Sequence, residues 1–246
     1  MSRPAAVVVG VGAEQGIGAA ACRRFAAEGH YVFVAGRTPA KIEQVVATIR
    51  DDGGHAEAVT TDVTVEADII ALFDRAMADT ADHAPADLVV SNTGDNAIID
   101  FRALTADQFE HYWRVGCFGG FLIGREAARR LVPLGRGTMI FTGASGSLRG
   151  KPGFAHFAAA KAGLRMVSQS MAREYGPQGI HVAHVLIDGG VDGERVRKFV
   201  PGIAEAKGDD GLLNVDAIAD TYWQLHRQHP SAWTQELDLR PFKEDY

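Results

Sequence analysis

Cysteine is scarce: Cys22 and Cys117 are the only two in 246 residues. Two are too few for a disulfide framework, so both read as structural thiols of a protein kept in a reducing cytoplasm. Apolar runs are short. None approaches the roughly 20 residues of a membrane-spanning helix, and Met1-Ser2-Arg3-Pro4 passes directly into a strand-like run, so neither a membrane anchor nor a signal peptide is expected. Basic clusters are missing as well, and the formal net charge is −6, which argues against nucleic acid or an anionic membrane as a partner. No composition shift, internal repeat or low-complexity segment divides the chain, so one domain over residues 1–246 is expected.

What the chain does hold begins with the β-branched run Ala5-Ala6-Val7-Val8-Val9-Gly10-Val11. Gly12-Ala13-Glu14-Gln15-Gly16-Ile17-Gly18 follows, and then a helical pattern to Glu28. Strand, glycine turn, helix is the order that a phosphate-binding turn requires. The glycines let backbone approach a pyrophosphate, whose charge is met by free N–H groups at the helix N-terminus. The spacing, G-x-G-x-x-x-G-x-G, is one residue longer between the second and third glycines than the common dinucleotide fingerprint. His30 to Ala35 reads as a second strand. An NAD site usually places Asp or Glu about twenty residues past the glycines to bond the ribose hydroxyls. Ala35-Gly36-Arg37-Thr38 stands there instead. With no carboxylate and a guanidinium that pairs with phosphate in two parallel hydrogen bonds, Arg37 predicts NADP(H) in preference to NAD(H).

The βα alternation continues. A helix is expected over Pro39–Arg50, a strand over His55–Thr61 ending at Asp62-Val63, where an adenine ring has room, and a helix capped by Thr64 running to about Thr80. Asp87 to Ser91 is a fourth strand, leaving into Asn92-Thr93-Gly94. From Thr105 to about Leu131 a long helix carries Gly116, Gly119 and Gly120, which predict close packing or a kink. Thr138–Thr142 is a fifth strand, Gly153–Tyr175 a helix, Ile180–Ile187 a sixth strand and Thr234–Leu239 the seventh. Between the last two lies a polar stretch, Asp192–Asp210, read as an irregular, mobile substrate lid, and a helix capped by Asn214 or Asp216. Strands separated by helices imply a parallel sheet covered on both faces, with ligands beyond the carboxyl ends of the strands.

The order and spacing of Gly12-x-x-x-Gly16-Ile17-Gly18, Asp62, Asn92-Thr93-Gly94 and Lys161 resemble the short-chain dehydrogenase/reductase family over nearly the whole chain. The resemblance implies a Rossmann-like, doubly wound α/β fold with seven parallel strands in the order 3-2-1-4-5-6-7. It implies bound NAD(P)(H), with Gly12, Gly16, Ile17 and Gly18 at the pyrophosphate, Asp62 and Val63 at the adenine, Asn92 and Gly94 along the ribose, and Lys161 on the nicotinamide ribose. A homodimer or homotetramer, assembled through the two long helices ending near Leu131 and Tyr175, is implied too.

The chemistry residues depart from the family pattern. The tyrosine slot holds Phe157, the asparagine slot Gly116 and the serine slot Ala144, with Ser145 one position on; only Lys161 is kept. Phenylalanine has no proton to give, and loss of a general acid costs about 10²- to 10⁴-fold in rate. Lys161, Ser145 and Asp188 are therefore the candidate catalytic group, Asp188 because burial can raise a carboxyl pKa enough to make it an acid. Asp95 is the second such candidate. His156 diverges from Phe157 on a helix and reads as a surface or subunit-contact residue. His181 and His184 fall on opposite faces of a strand, and His226 and His229 lack a third ligand, so no metal is expected. The expected function is an NADP(H)-dependent oxidoreductase acting on a small alcohol or carbonyl compound. The alternatives are an inactive NADP(H)-binding sensor or partner subunit, and a redox-neutral lyase or isomerase.

Overall fold

A computed structural model describes residues 2–244. Seven strands, β1 (Arg3–Val9), β2 (Tyr31–Gly36), β3 (His55–Thr60), β4 (His83–Ser91), β5 (Gly137–Thr142), β6 (Ile180–Ile187) and β7 (Glu236–Leu239), form one parallel sheet. Their order is β3-β2-β1-β4-β5-β6-β7. Valine runs make this sheet because it is covered on both faces: Val7 and Val9 point to one side, Val8 to the other, and all three are fully buried. Register runs Val8 to Val34 on β2 and Val8 to Val90 on β4.

On one face Val8, Val34, Val90 and Ile140 pack beneath α1 (Ile17–Ala27), α2 (Pro39–Asp51) and a late helix that carries Ile218 and Tyr222. On the other, Val7, Val9, Phe33 and Phe141 meet α3 (Glu66–Ala76) and the long helices that follow β4 and β5. Each of these large side chains contributes about 1.5–3 kcal/mol by leaving water. The two layers thus hold the carboxyl ends of the strands, and the loops that leave them, on a rigid platform.

Three elements differ from the sequence reading. The helix before β4 starts at Glu66 with Val65 as an uncapped N-cap; Thr64 instead donates both its N–H (2.9 Å) and its hydroxyl (2.8 Å) to the Asp62 carboxylate. The glycine-bearing helix is three pieces: α4 (Ala106–Trp113), a π-helical turn over Arg114–Phe118, and α5 (Gly119–Leu131). Both expected consequences of its glycines occur, since a Cβ on Gly120 would lie 2.3 Å from Leu164 and one on Gly116 3.0 Å from Ala160. These contacts seat α5 and the π turn against α6 (Ala155–Tyr175). The stretch 192–210 is not irregular. It holds α7 (Glu194–Phe199) and α8 (Ile203–Lys207), flanked by a small parallel pair, Val191–Asp192 with Leu213–Asn214. Then comes α9 (Val215–His226), capped by the Asn214 side chain, which accepts from the N–H groups of Asp216 and Ala217.

Gly10 marks where β1 must turn tightly. Its φ is +92°, and a Cβ there would stand 2.5 Å from the Asn92 carbonyl oxygen. Gly10→Ala is expected to lower stability by on the order of 1–3 kcal/mol through backbone strain alone, more where the clash with β4 is not relieved; denaturant unfolding of the two proteins measures this.

Candidate active site

The glycine turn sits at the carboxyl end of β1. Gly16 is the N-cap of α1 with an extended backbone (φ −140°), no side chain caps the helix, and no acid lies in its first turn. The first N–H groups of a helix have no partner inside it, so this end is an open, unneutralised donor cluster. Nothing lies within 4 Å of a Cβ on Gly12. Space without side chains, together with bare amides at a helix N-terminus, fits a dinucleotide pyrophosphate. Glu14 leans away, paired with Arg23 at 2.9 Å.

Around this cradle the other sequence-derived cofactor residues gather. Asn92 follows β4 and donates its side-chain N–H to the Gly10 carbonyl at 3.1 Å, tying the β4 loop to the glycine turn. Arg37 is exposed just beyond β2. It makes no hydrogen bond or ion pair among the described residues, and its charge acts on Asp62, which its own two bonds from Thr64 and the Arg37 field hold below the ordinary carboxylate range. Asp62 spends its Oδ1 on Thr64. The neighbouring Val63 is buried against the α5 start, where a Cβ on Gly119 would lie 2.9 Å from it.

Lys161, on α6, is the most constrained side chain of the group. It is wholly buried, and its ammonium donates to the carbonyls of Thr93 (2.9 Å) and Thr142 (2.7 Å), at the ends of β4 and β5. Burial pulls its pKa down to about 8. Gly94, with φ +153°, gives it room: a Cβ there would stand 3.1 Å from Nζ.

Beside it, a short turn over Ser145–Ser147 leads from β5 into a cleft of about 160 Å³. Phe157 forms part of its wall; a Cβ on Gly146 would lie 3.0 Å from the ring. Ser145 stands close enough to Asp188, at the end of β6, to help lower its pKa. Asp188 receives Nη2 of Arg149 (2.8 Å) and of Arg240 (2.8 Å). These partners outweigh desolvation and hold the Asp188 pKa below its ordinary value. The expectation that burial would turn Asp188 into a proton donor is therefore corrected: two guanidiniums keep it ionised.

Asp95, the second candidate acid, is likewise paired. Arg195 of α7 donates to its carboxylate at 2.6 Å and to both the carbonyl and side-chain oxygens of Asn96 at 2.8 Å. The same segment reaches the glycine turn, since the Glu194 N–H donates to the Gln15 carbonyl at 3.1 Å. Residues 193–195 thereby bridge the cradle and the β4 loop. His156 is corrected as well: it is fully buried, with its ring 4.2 Å from that of Tyr112, not a surface residue. Its pKa falls through desolvation.

The histidines fall where periodicity puts them, and one grouping goes beyond it. His181 stacks on Trp233, and His184 bonds Glu236 at 3.0 Å with its pKa lowered by burial to about 4. His229 caps a turn and stands apart from His226. Instead His226 joins His30 and Asp87, with ligand-type atoms all within 4.8 Å of one another. No local spacing announces that trio, because its members come from three elements. It lies at the amino ends of β5 and β6, away from the cradle, with Arg136 3.9 Å from the Asp87 carboxylate.

Comparison with known proteins agrees with this geometry. The family model described as short chain dehydrogenase matches residues 6–201. A crystal structure of a short-chain dehydrogenase from Rhodopseudomonas palustris is 39% identical, with a TM-score of 0.82, covering 97% of this chain and 99% of that one. The Bacillus subtilis protein named Uncharacterized oxidoreductase YuxG is 34% identical over 198 residues, 79% of this chain but only 28% of that protein. Cis-4-hydroxycyclohexanecarboxylate dehydrogenase of Sinomonas cyclohexanicum is 33% identical over 180 residues, 72% of this chain and 70% of that protein. The chain belongs to the short-chain dehydrogenase family.

The ion-paired Asp188 yields a test. Asp188→Asn leaves two guanidiniums facing a neutral amide, and is expected to lower stability at pH 7 by on the order of 3 kcal/mol. Because the folded-state pKa is depressed, the stability Asp188 supplies is present above its unfolded pKa and is lost as pH falls below about 4. The stabilities of the two proteins should thus converge as pH falls below about 4.

Proposed function

We propose that this chain is an NADP(H)-dependent oxidoreductase acting on a small alcohol or carbonyl compound, with the proton carried by Lys161 in place of the family's phenol. The observation that carries this reading is the wholly buried ammonium held on the Thr93 and Thr142 carbonyls, with burial pulling its pKa down to about 8. The cradle at Gly12, Gly16, Ile17 and Gly18, with Asn92 and Gly94 on the next loop, would hold the cofactor, and Arg37 the 2′-phosphate. Bound NADPH would supply the hydride. Reduction of a carbonyl then needs one proton at the oxygen, and Lys161 has one N–H left after its two carbonyl bonds. Ser145 lines the cleft, beside Asp188. A relative named for a ring alcohol, the hydroxycyclohexanecarboxylate dehydrogenase, supports the substrate class.

One arrangement favours a second reading, a nucleotide-binding subunit without chemistry. Phe157, Ala144 and Gly116 vacate three of the family's four polar positions at once. Hydride transfer assayed with a panel of ketones and alcohols separates the two readings, since a bare binder turns over none of them.

Lys161→Met should lower turnover by about 10²- to 10⁴-fold, with NADPH affinity followed separately by fluorescence. The sign of the pH dependence is fixed by the role. Reduction uses the ammonium, so its rate should hold below about pH 8 and fall roughly tenfold per unit above it, while oxidation, which uses the free amine, should rise through the same region. Arg37→Ala should weaken NADPH by about tenfold and leave NADH unchanged, the worth of one charge-assisted pairing; titration of both nucleotides reads this.

Assembly as a homodimer or homotetramer is part of the same proposal. Phe109, Trp113 and Phe121 on α4 and α5, and Met166 on α6, are large apolar side chains at least 38% exposed, a surface suited to a second copy. Phe121→Glu should shift sedimentation toward the monomer.

A further inference from the structure

The cleft beside Ser145 has a composition that the proton question does not use. Its walls are the rings of Phe154 and Phe157, and its charged residues are Arg149 and Lys151, both cations. No carboxylate lines it. Asp188 takes only Nη2 of Arg149, at 2.8 and 3.0 Å, so Nε and Nη1 of that guanidinium carry no hydrogen bond among the described residues. Lys151 is exposed and has neither hydrogen bond nor ion pair there. The charges behind the cleft nearly cancel: Asp188 and Asp238 face Arg149 and Arg240. Lys151 is left over, a single positive charge at the mouth.

Size narrows the ligand. The cleft measures about 160 Å³, and a cavity of about 150 Å³ takes one benzene-sized ring. Two phenyl walls favour a flat or alicyclic ring by stacking and by burial of apolar area. A carboxylate adds charge attraction to the single N–H donors left free on Arg149 and Lys151, which a neutral amide does not. One uncompensated cation suits a monoanion, where a phosphate dianion would remain undercompensated.

We propose that this cleft is a subsite for a ring-bearing carboxylate, the ring held against Phe154 and Phe157 and the carboxylate received by Lys151 and a free N–H of Arg149. The reactive oxygen of such a hydroxy or oxo acid lies toward Ser145. This deepens the reading of the preceding subsection and rests on it for the reaction, though not for the binding. Phe157 thereby acquires a positive role: the ring that lacks the family's hydroxyl serves as an apolar wall.

Calorimetric titration of the full-length protein, with and without NADPH, uses benzoate and cyclohexanecarboxylate against benzamide, acetate and phenyl phosphate. Benzoate is expected to bind at least tenfold more tightly than benzamide or acetate. Lys151→Met, at an exposed position that does not threaten folding, should weaken benzoate at least fivefold. Lys151→Glu should abolish benzoate binding and favour benzylamine. Equal affinity for benzoate and benzamide, tighter binding of phenyl phosphate, or indifference of benzoate to both Lys151 variants would overturn the subsite. If NADPH fails to bind while benzoate still does, the cofactor reading falls and the subsite stands; if NADPH binds and benzoate does not, the subsite alone falls.

Discussion

The ammonium of Lys161 on two strand-end carbonyls is the constraint around which the rest of the site is arranged. It hangs from the middle of α6 and meets the last carbonyls of β4 and β5, so the helix, the β4 loop and the β5 loop share one pivot. Burial lowers its pKa from 10.5 to about 8, equivalent to about 3 kcal/mol against the charged form at about 1.4 kcal/mol per unit. Hydrogen bonds to a charged donor return about 1.5–3 kcal/mol each. The two carbonyls are therefore sufficient to hold the charge indoors, but only if both loops keep their places.

Neighbouring features follow from keeping them there. Gly94 lacks a side chain where Lys161 passes, and the Thr142 hydroxyl is bonded to the buried Tyr222 at 2.7 Å, fixing the end of β5 to α9. One turn further along α6, Arg165 grips Glu236 of β7 with two bonds of 2.7 Å, and Glu236 in turn holds His184. The cleft's far side is secured by the same edge of the sheet, because Asp188 bonds the β7 end through its own N–H and gathers Arg149 and Arg240. The Asp188 carboxylate behind the cleft is thus a clamp on Arg149 and Arg240 and not an acid.

What the sequence disclosed and what it hid divide along physical lines. The strands were readable because buried parallel strands are continuous apolar runs, as in Val7-Val8-Val9, while their order came from the family resemblance. The glycine turn was readable because close backbone approach leaves a local mark, whereas Lys161 stood out only through the family resemblance. Thr64 was misread as a cap because a threonine beside an aspartate has two uses, and the Asp62 carboxylate competes for its donors. Asp188 was misjudged because desolvation can be inferred from a strand end, whereas its partners Arg149 and Arg240 come from two other loops. His156 was misplaced for a related reason: facing away from Phe157 says nothing about whether Tyr112 covers that face. The two short helices within 192–210 were hidden because five or six residues give no periodicity to count.

The replacement of a phenol by Phe157 bears on how a proton donor near neutrality can be made at all. In the family pattern a lysine cation lowers the phenol's pKa and holds the nicotinamide ribose, and the phenol carries the proton. Without the phenol, the pKa that must approach neutrality is the lysine's own, and the force that moves it is desolvation, already supplied by α6 and the two strand ends. The ring at position 157 carries no hydroxyl to offer, and it forms part of the apolar wall of the cleft that Arg149 also lines. On the proposed function, proton donor and substrate wall would be coupled, since a polar side chain at this one position would change the face offered to the ligand. A single substitution to tyrosine would therefore not simply restore the family's chemistry, because the surroundings are arranged for a ring without a hydroxyl.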